Sequence, residues 1–343
     1  MVKSVDIEEF LELSRQNPVV DVRSPSEYAY GRIPGAVNLP LFEDDERAEI
    51  GTLYKQQGKE VAVKRGLEIV GPKMRPMVEF AERLTFKDHI LVHCWRGGMR
   101  SGSVAWLLQT YGLPVITLKG GYKRFRNYVL DKFADKMELM VITGPTGSGK
   151  TDLIKALAAN GQQVVDLEGL AHHKGSVFGE LGQEVQPSSE HFQNELFWAI
   201  KDFDFSHPVW LEDESIGIGK VMIPEAFWRQ MGKSPRVHFN MDRNIRIKRL
   251  VSEYASFPEK VLDEKINVLE KKLGGQHAKS ALELLRSGDF AGVADVLLVY
   301  YDRAYKNALI RHKNDLLLEI EADHEDFAKW AELVIEKTKT QYV

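Results

Sequence analysis

The stretch Val92-His93-Cys94-Trp95-Arg96-Gly97-Gly98-Met99-Arg100-Ser101 holds the only cysteine among 343 residues, and its two flanks differ in character. Before it, Asp88 to His93 ends in an apolar run of strand type; after it, Ser101 to Leu108 reads as a helix with Ser101 at its N-cap. Cys94 thus falls where a buried strand turns into a helix, a junction at which unpaired backbone N–H groups and the positive helix end face the sulfur. Arg96 and Arg100 add fixed positive charge, and the Gly97-Gly98 pair lets the amides of the loop converge on an anion. Such surroundings lower a thiol pKa from about 8.5 toward or below neutrality, so the loop predicts a nucleophilic thiolate. A lone cysteine elsewhere is usually a small buried hydrophobe; two arginines and two glycines beside it argue for chemistry instead.

A chain of this length with 43% hydrophobic residues exceeds what one core supports, so two domains are expected. No stretch approaches the roughly 20 apolar residues of a membrane span, and MVKSVDIEEF carries no apolar signal region, so a cytoplasmic location and no membrane contact are expected. A single cysteine allows no internal disulfide, no cysteine-rich metal site and no resolving thiol, so whatever forms on Cys94 passes to an outside acceptor. With Lys+Arg 46 against Asp+Glu 50 and a net charge of -4, nucleic acid would be met by a local basic patch, not by a basic chain.

Upstream, Val19 to Arg23 reads as a short buried strand and Ser24-Pro25-Ser26-Glu27-Tyr28 as a capped helix start. Val20-Asp21-Val22-Arg23-x-x-x-Glu27-Tyr28-x-x-Gly31-x-Ile33-Pro34-Gly35-Ala36-x-Asn38-Leu39-Pro40, then the cysteine loop, then Leu118-Lys119-Gly120-Gly121-Tyr122, resembles the rhodanese family over roughly residues 1 to 130. That resemblance implies a transferable chalcogen carried on Cys94 and held by the loop from Trp95 through Gly97, Gly98 and Met99 to Ser101. Arg32 stands where that family usually has His, and five residues separate Cys94 from Arg100 where ordinary sulfurtransferases mostly have four. The longer loop resembles that of dual-specificity phosphatases and leaves a phosphatase open for this domain. Glu43 to Gly66 is charged and glycine-punctuated, readable as a solvated insertion, a flap over the loop or an RNA contact.

After a boundary near Ala134 to Lys136, the strand Met137 to Thr143 delivers Gly144-Pro145-Thr146-Gly147-Ser148-Gly149-Lys150-Thr151 and then a helix. This is G-x-x-x-x-G-K-[ST] in the context it demands. Amides of the loop, Gly144, Thr146, Gly147, Ser148 and Gly149 among them, would wrap a diphosphate, with Lys150 bridging its oxygens and Thr151 reaching a Mg2+. Strands at Gln163 to Glu168 and Pro208 to Ser215 end in carboxylates, which makes Asp166 and Asp213 ligand-binding candidates and pairs Asp166 with Thr151 as Mg2+ ligands. Phe178, Phe192, Phe197, Trp198, Trp210, Phe227 and Trp228 read as core more than as the wall of a ligand pocket. A fourth strand, Val237 to Met241, precedes Arg243, Arg246 and Arg249, whose spacing of three puts them on one helix face suited to solvent, a lid arginine or RNA backbone. Residues 258 to 343 read as helix-rich.

Together these give an α/β protein: a rhodanese-like α/β domain over 1–130, then a P-loop NTPase-like parallel-sheet α/β domain over 131–343 with a helix-rich C-terminal region from about 242. The loops Cys94 to Ser101 and Gly144 to Thr151, followed by Asp166-Leu-Glu-Gly-Leu-Ala-His-His-Lys-Gly-Ser-x-Phe-Gly179, resemble the bacterial tRNA 2-selenouridine synthase family over nearly the whole chain. The resemblance implies a two-step exchange at the wobble 2-thiouridine of the tRNAs for Lys, Glu and Gln: geranylation of the sulfur by geranyl diphosphate, then replacement by selenium from selenophosphate, through an intermediate on Cys94. Cys94, Arg96, Arg100 and Lys150 would be catalytic, with no tightly bound cofactor and Mg2+ accompanying the diphosphate. The wobble base would unstack onto an aromatic plane such as Tyr300, Tyr301 or Trp95. The residues alone leave open an ATP-dependent tRNA sulfurtransferase using a Cys94 persulfide, and a kinase with a rhodanese module.

Overall fold

The computed structural model describes residues 2–84, 87–311 and 315–339. The chain divides into two compact units, Met1–Phe133 with Gln193–Trp198 and Ala134–Phe192 with Ala199–Val343.

The first unit holds β1 (Lys3–Val5), α1 (Ile7–Leu13), β2 (Val19–Asp21), α2 (Pro25–Tyr30), β3 (Val37–Asn38), α3 (Asp44–Gln56), α4 (Lys59–Val70), α5 (Met74–Glu82), β4 (Ile90–His93), α6 (Met99–Tyr111), β5 (Val115–Leu118) and α7 (Gly121–Lys132). Its sheet runs β1-β5-β4-β2-β3, every pairing parallel. All four residues of β4 are buried, which is why its sequence is a continuous apolar run and not an alternation. α2 begins at a Ser24/Glu27 capping box with Pro25 in the first turn. Beneath it, Arg23 and Asp21 form a fully buried pair, Nη2 to Oδ2 at 2.5 Å, and Arg23 also donates to Gly31 O at 2.6 Å and stacks 3.8 Å over Tyr122. The charged stretch after Glu43 is two helices, α3 and α4, with the Arg65–Glu49 pair between them at 2.6 Å.

A glycine contact shapes the cysteine loop. Tyr122 N donates to Cys94 O at 2.8 Å and Lys123 N to Trp95 O at 2.9 Å, so the first turn of α7 lies against the loop. Gly97 and Gly121 meet there with φ of 66° and 60°. A Cβ on Gly121 would lie 2.3 Å from Cys94 O and 2.5 Å from Gly97 N.

The second unit contains β6 (Leu139–Thr143), α8 (Lys150–Ala159), β7 (Gln163–Val165), α9 (Leu167–Ala171), the two ends of α10 (Ser189–Ile200), whose middle Gln193–Trp198 is counted with the first unit, β8 (Val209–Glu212), a small hairpin of β9 (Gly217–Ile218) and β10 (Val221–Met222), α11 (Glu225–Met231), β11 (Arg236–Met241), α12 (Arg243–Tyr254), α13 (Glu259–Leu273), α14 (Gly275–Arg286), α15 (Phe290–Arg311), β12 (Leu316–Ala322) and α16 (Phe327–Lys339). The main sheet is parallel in the order β12-β11-β6-β8-β7, with β6 central and ending in the phosphate-loop sequence. The region read as helix-rich therefore includes an edge strand, β12, whose Leu316-Leu-Leu-Glu-Ile-Glu-Ala322 alternates toward its end, burying Ile320 and Ala322. α13, α14 and α15 pack around Ile266, Leu269, Ala281 and Leu297. Among the described residues no helix is long and apolar enough to cross a membrane.

Gly121→Ala is expected to destabilise the chain by at least about 2 kcal/mol, because it combines a backbone clash with a left-handed φ. Gly102→Ala, in α6 with nothing within 4 Å of its added Cβ, is expected to be neutral or to stabilise by up to about 1 kcal/mol. Thermal and urea unfolding of the two full-length variants measure the contrast.

Candidate functional sites

Cys94 is buried, 3% exposed, at the turn from β4 into α6. Helix α6 starts at Met99 with Gly98 as N-cap, so Ser101 is not the cap expected from sequence but a first-turn residue. Its hydroxyl lies 3.2 Å from both Cys94 Sγ and Gly98 O, so its one proton can turn from the carbonyl to the thiolate. Burial opposes ionisation of the thiol, but the Ser101 hydroxyl and the amides of Ser101, Arg96 and Gly98 outweigh it and hold the pKa below the ordinary value. Arg100 is committed elsewhere: it forks onto Glu27, with contacts at 2.5 and 3.3 Å. Its charge is compensated there, and Arg96 is the exposed cation left on the loop. Trp95 is half-buried, its ring 5.6 Å from that of Tyr122, and Met99 is exposed.

His93, next to the thiol in sequence, is completely buried and neither ring nitrogen has a hydrogen-bond partner. Burial pushes its pKa down, with Asp21 opposing at 3.8 Å. A neutral ring stacked on Tyr122 fills space behind the loop.

In the second unit the phosphate loop closes between β6 and α8, with Gly147 and Gly149 at φ of 80° and 82°. Lys150 Nζ donates to Gly144 O at 3.1 Å, curling over its own loop. The loop borders a cavity of about 530 Å³ that also touches Asp166, Glu168, Asp213 and Glu214. Of the two carboxylates named from sequence, Asp166 caps α9 by accepting from Gly169 N at 2.6 Å, and Asp213 accepts from Arg236 Nη2 at 3.4 Å. Thr151 Oγ1 donates instead to Glu168 Oε2, at 3.0 Å. Glu214 is pushed up to about 8 by burial and by the charge of Glu168, to which it is hydrogen-bonded, against the pull of Lys150. Gly175 crosses so close that a Cβ there would lie 2.7 Å from Glu214 Oε1. The signal for Glu168 and Glu214 was in the sequence, in Asp166-x-Glu168 and Glu212-Asp-Glu214; what it lacked was the side each residue would face.

Among the described residues no three His, Cys, Asp or Glu side chains cluster as a metal cage. Mg2+ does not require one, since it binds through one or two protein oxygens plus substrate phosphates and water. The hydroxyl of Thr151 and the carboxylate of Glu168 fit that donor set.

Arg243, Arg246 and Arg249 do share one helix, and all three are engaged. Arg243 pairs with Asp295 at 2.8 Å and with Asp302 at 3.0 Å. Arg246 pairs with Asp302 and donates to Thr146 O at 2.8 Å, while Arg249 bridges Asp152 and Glu325. They brace the phosphate loop against α15 and the start of α16. The expected solvated or RNA-facing role is not what this arrangement provides.

Residues 137–337 match the family described as tRNA 2-selenouridine synthase AAA domain, and residues 6–128 match the rhodanese-like domain family. The tRNA 2-selenouridine synthase of Shewanella denitrificans is 32% identical over an alignment covering 94% of this chain and 96% of that protein. The chain belongs to the tRNA 2-selenouridine synthase family. Another member, from Bdellovibrio bacteriovorus, is 33% identical over 90% of this chain and 94% of its own length. The synthase of Nitrosomonas europaea is 38% identical over 69% of this chain and 63% of that protein. Among solved structures, the N-terminal domain of a protein from Clostridium difficile 630 is 42% identical, covering 37% of this chain and 99% of that one, with a TM-score of 0.36.

Ser101→Ala removes the side-chain donor to the thiolate and leaves the amides. The midpoint of the alkylation rate of Cys94 by iodoacetamide against pH should rise by about one unit, the equivalent of one hydrogen bond to a charged group. An unchanged midpoint would show that the amides alone set it.

Proposed function

We propose that this protein replaces the sulfur of wobble 2-thiouridine by selenium in the tRNAs for Lys, Glu and Gln, using geranyl diphosphate and then selenophosphate. The observation that carries the reading is the pairing, in one chain of this family, of a buried thiol stabilised as thiolate with a phosphate loop facing an acidic cavity. A thiocarbonyl sulfur leaves poorly, and alkylation turns it into a good leaving group, so a diphosphate site has a purpose without nucleotide hydrolysis.

In the first step the thiouridine sulfur attacks carbon 1 of the geranyl chain. The carbon–oxygen bond breaks, diphosphate departs and the base loses its N3 proton. Lys150, freed from Gly144 O, meets the charge growing on the leaving group, as the loop amides do. Thr151 and Glu168 would hold a divalent cation, which would supply further charge neutralisation there. Glu214, whose pKa burial and the charge of Glu168 push up to about 8, can hold a proton in this cavity. In the second step the carbon–sulfur bond breaks, carbon–selenium forms, geranylthiolate leaves, and the phosphoryl group of selenophosphate ends on water, with no net oxidation. The thiolate of Cys94 attacks the phosphorus of selenophosphate, the phosphorus–selenium bond breaks to release selenide as the nucleophile for the activated base, water then cleaves the S-phosphocysteine, and Arg96 draws the anionic donor to the loop.

Nucleoside mass spectrometry on 2-thiouridine tRNA, with one component omitted at a time, tests this. Geranylated base should accumulate without selenophosphate, persist in Cys94→Ser, and fall by about 100-fold or more in Lys150→Ala. If the base changes only when ATP replaces geranyl diphosphate, the protein is an ATP-dependent sulfurtransferase instead.

A further inference from the structure

A second cavity of the same unit adjoins the phosphate cavity, with Thr146, Ser176, Leu250, Tyr254 and Tyr301 lining both. It measures about 60 Å³, several times the roughly 10–15 Å³ that one water needs. Beyond the shared residues its wall is hydrocarbon: Phe178, Leu262, Ile266, Val293, Ala294 and Leu297, from the loop after α9 and from α13 and α15. The polar atoms at the junction are already spoken for. Tyr301 accepts from Val177 N at 3.4 Å, Ser176 accepts from Phe178 N at 3.2 Å, and both tyrosine hydroxyls are hydrogen-bonded to Ser176. The carbonyl of Thr146 is held by buried Arg246 at 2.8 Å.

A diphosphate seated on the loop can therefore extend along one of two surfaces, and this one offers nothing for a ribose or a base to bond. Buried polar groups without partners are costly, whereas each methylene placed against such a wall gains free energy. We propose that this cavity takes the hydrocarbon tail of the diphosphate substrate, and that Ile266, Ala294 and Leu297 set the tail length accepted. The assignment rests on the donor being a prenyl diphosphate, as argued above. It also gives Phe178 a role that its place among core aromatics did not suggest.

The test is equilibrium binding to the full-length protein with Mg2+, comparing pyrophosphate, ATP and dimethylallyl, geranyl and farnesyl diphosphates. Wild type should bind geranyl diphosphate at least about tenfold more tightly than pyrophosphate, as burial of several methylenes requires. Leu297→Phe, which fills the cavity, should erase that advantage; Ile266→Ala, which enlarges it, should shift preference to farnesyl diphosphate by about tenfold. Both should keep wild-type pyrophosphate affinity, which also reports that they fold. If wild type prefers ATP and gains nothing from a tail, the donor reading fails and this assignment falls with it. If the tail advantage is present in wild type and both variants retain it with unaltered length preference, the donor reading stands and this cavity is not the tail site.

Discussion

Both chemical loops exist because the end of a buried parallel strand leaves backbone N–H groups with no partner. The sheet has stopped and the helix has not yet closed its first bonds. Around Cys94 those donors converge on a sulfur; after β6 they line a phosphate-sized hollow. The same constraint explains why glycine recurs at the turns. Gly97 and Gly121 let two backbones touch, and Gly147 and Gly149 take left-handed angles that turn amides inward.

Charge is arranged differently in the two places. The thiolate draws on neutral donors, the Ser101 hydroxyl and amides, while the nearby Arg100 is neutralised by Glu27. Such a pocket stabilises an anion without holding a competing ion pair in place, so a second anion can be admitted. The phosphate cavity instead sets Lys150 against Glu168 and Glu214, and burial together with the charge of Glu168 pushes the pKa of Glu214 up. An incoming metal or polyphosphate changes that balance directly, which makes the cavity responsive to what it binds.

Much of this was legible in the sequence because it depends on local chemistry. The strand-cysteine-helix junction, the Ser24-Pro25 cap and the phosphate loop each carry their signal within about ten residues. What escaped was decided by distant partners. Leu316 to Ala322 alternates only weakly, and becomes a strand because β11 offers a free edge. Ser101 resembles a cap until the helix proves to begin at Met99. Arg243, Arg246 and Arg249 resemble a solvent face until Asp295, Asp302, Asp152 and Glu325 come round to meet them. Glu168 and Glu214 became neighbours only when two strand ends were placed side by side.

The order in which the second unit is synthesised adds a final consequence. β12 and α16 follow every other element of that unit in the chain, yet β12 completes the sheet edge on β11 and the ring of Phe327 lies against Gly149 of the phosphate loop. Glu325, from the same closing segment, holds Arg249, which also grips Asp152. A nascent chain on the ribosome therefore carries the loop's sequence long before it carries the loop's support. The phosphate site takes its supported shape only once β12 and α16 have been made, and a stop before them would leave the motif present and its shape unmade.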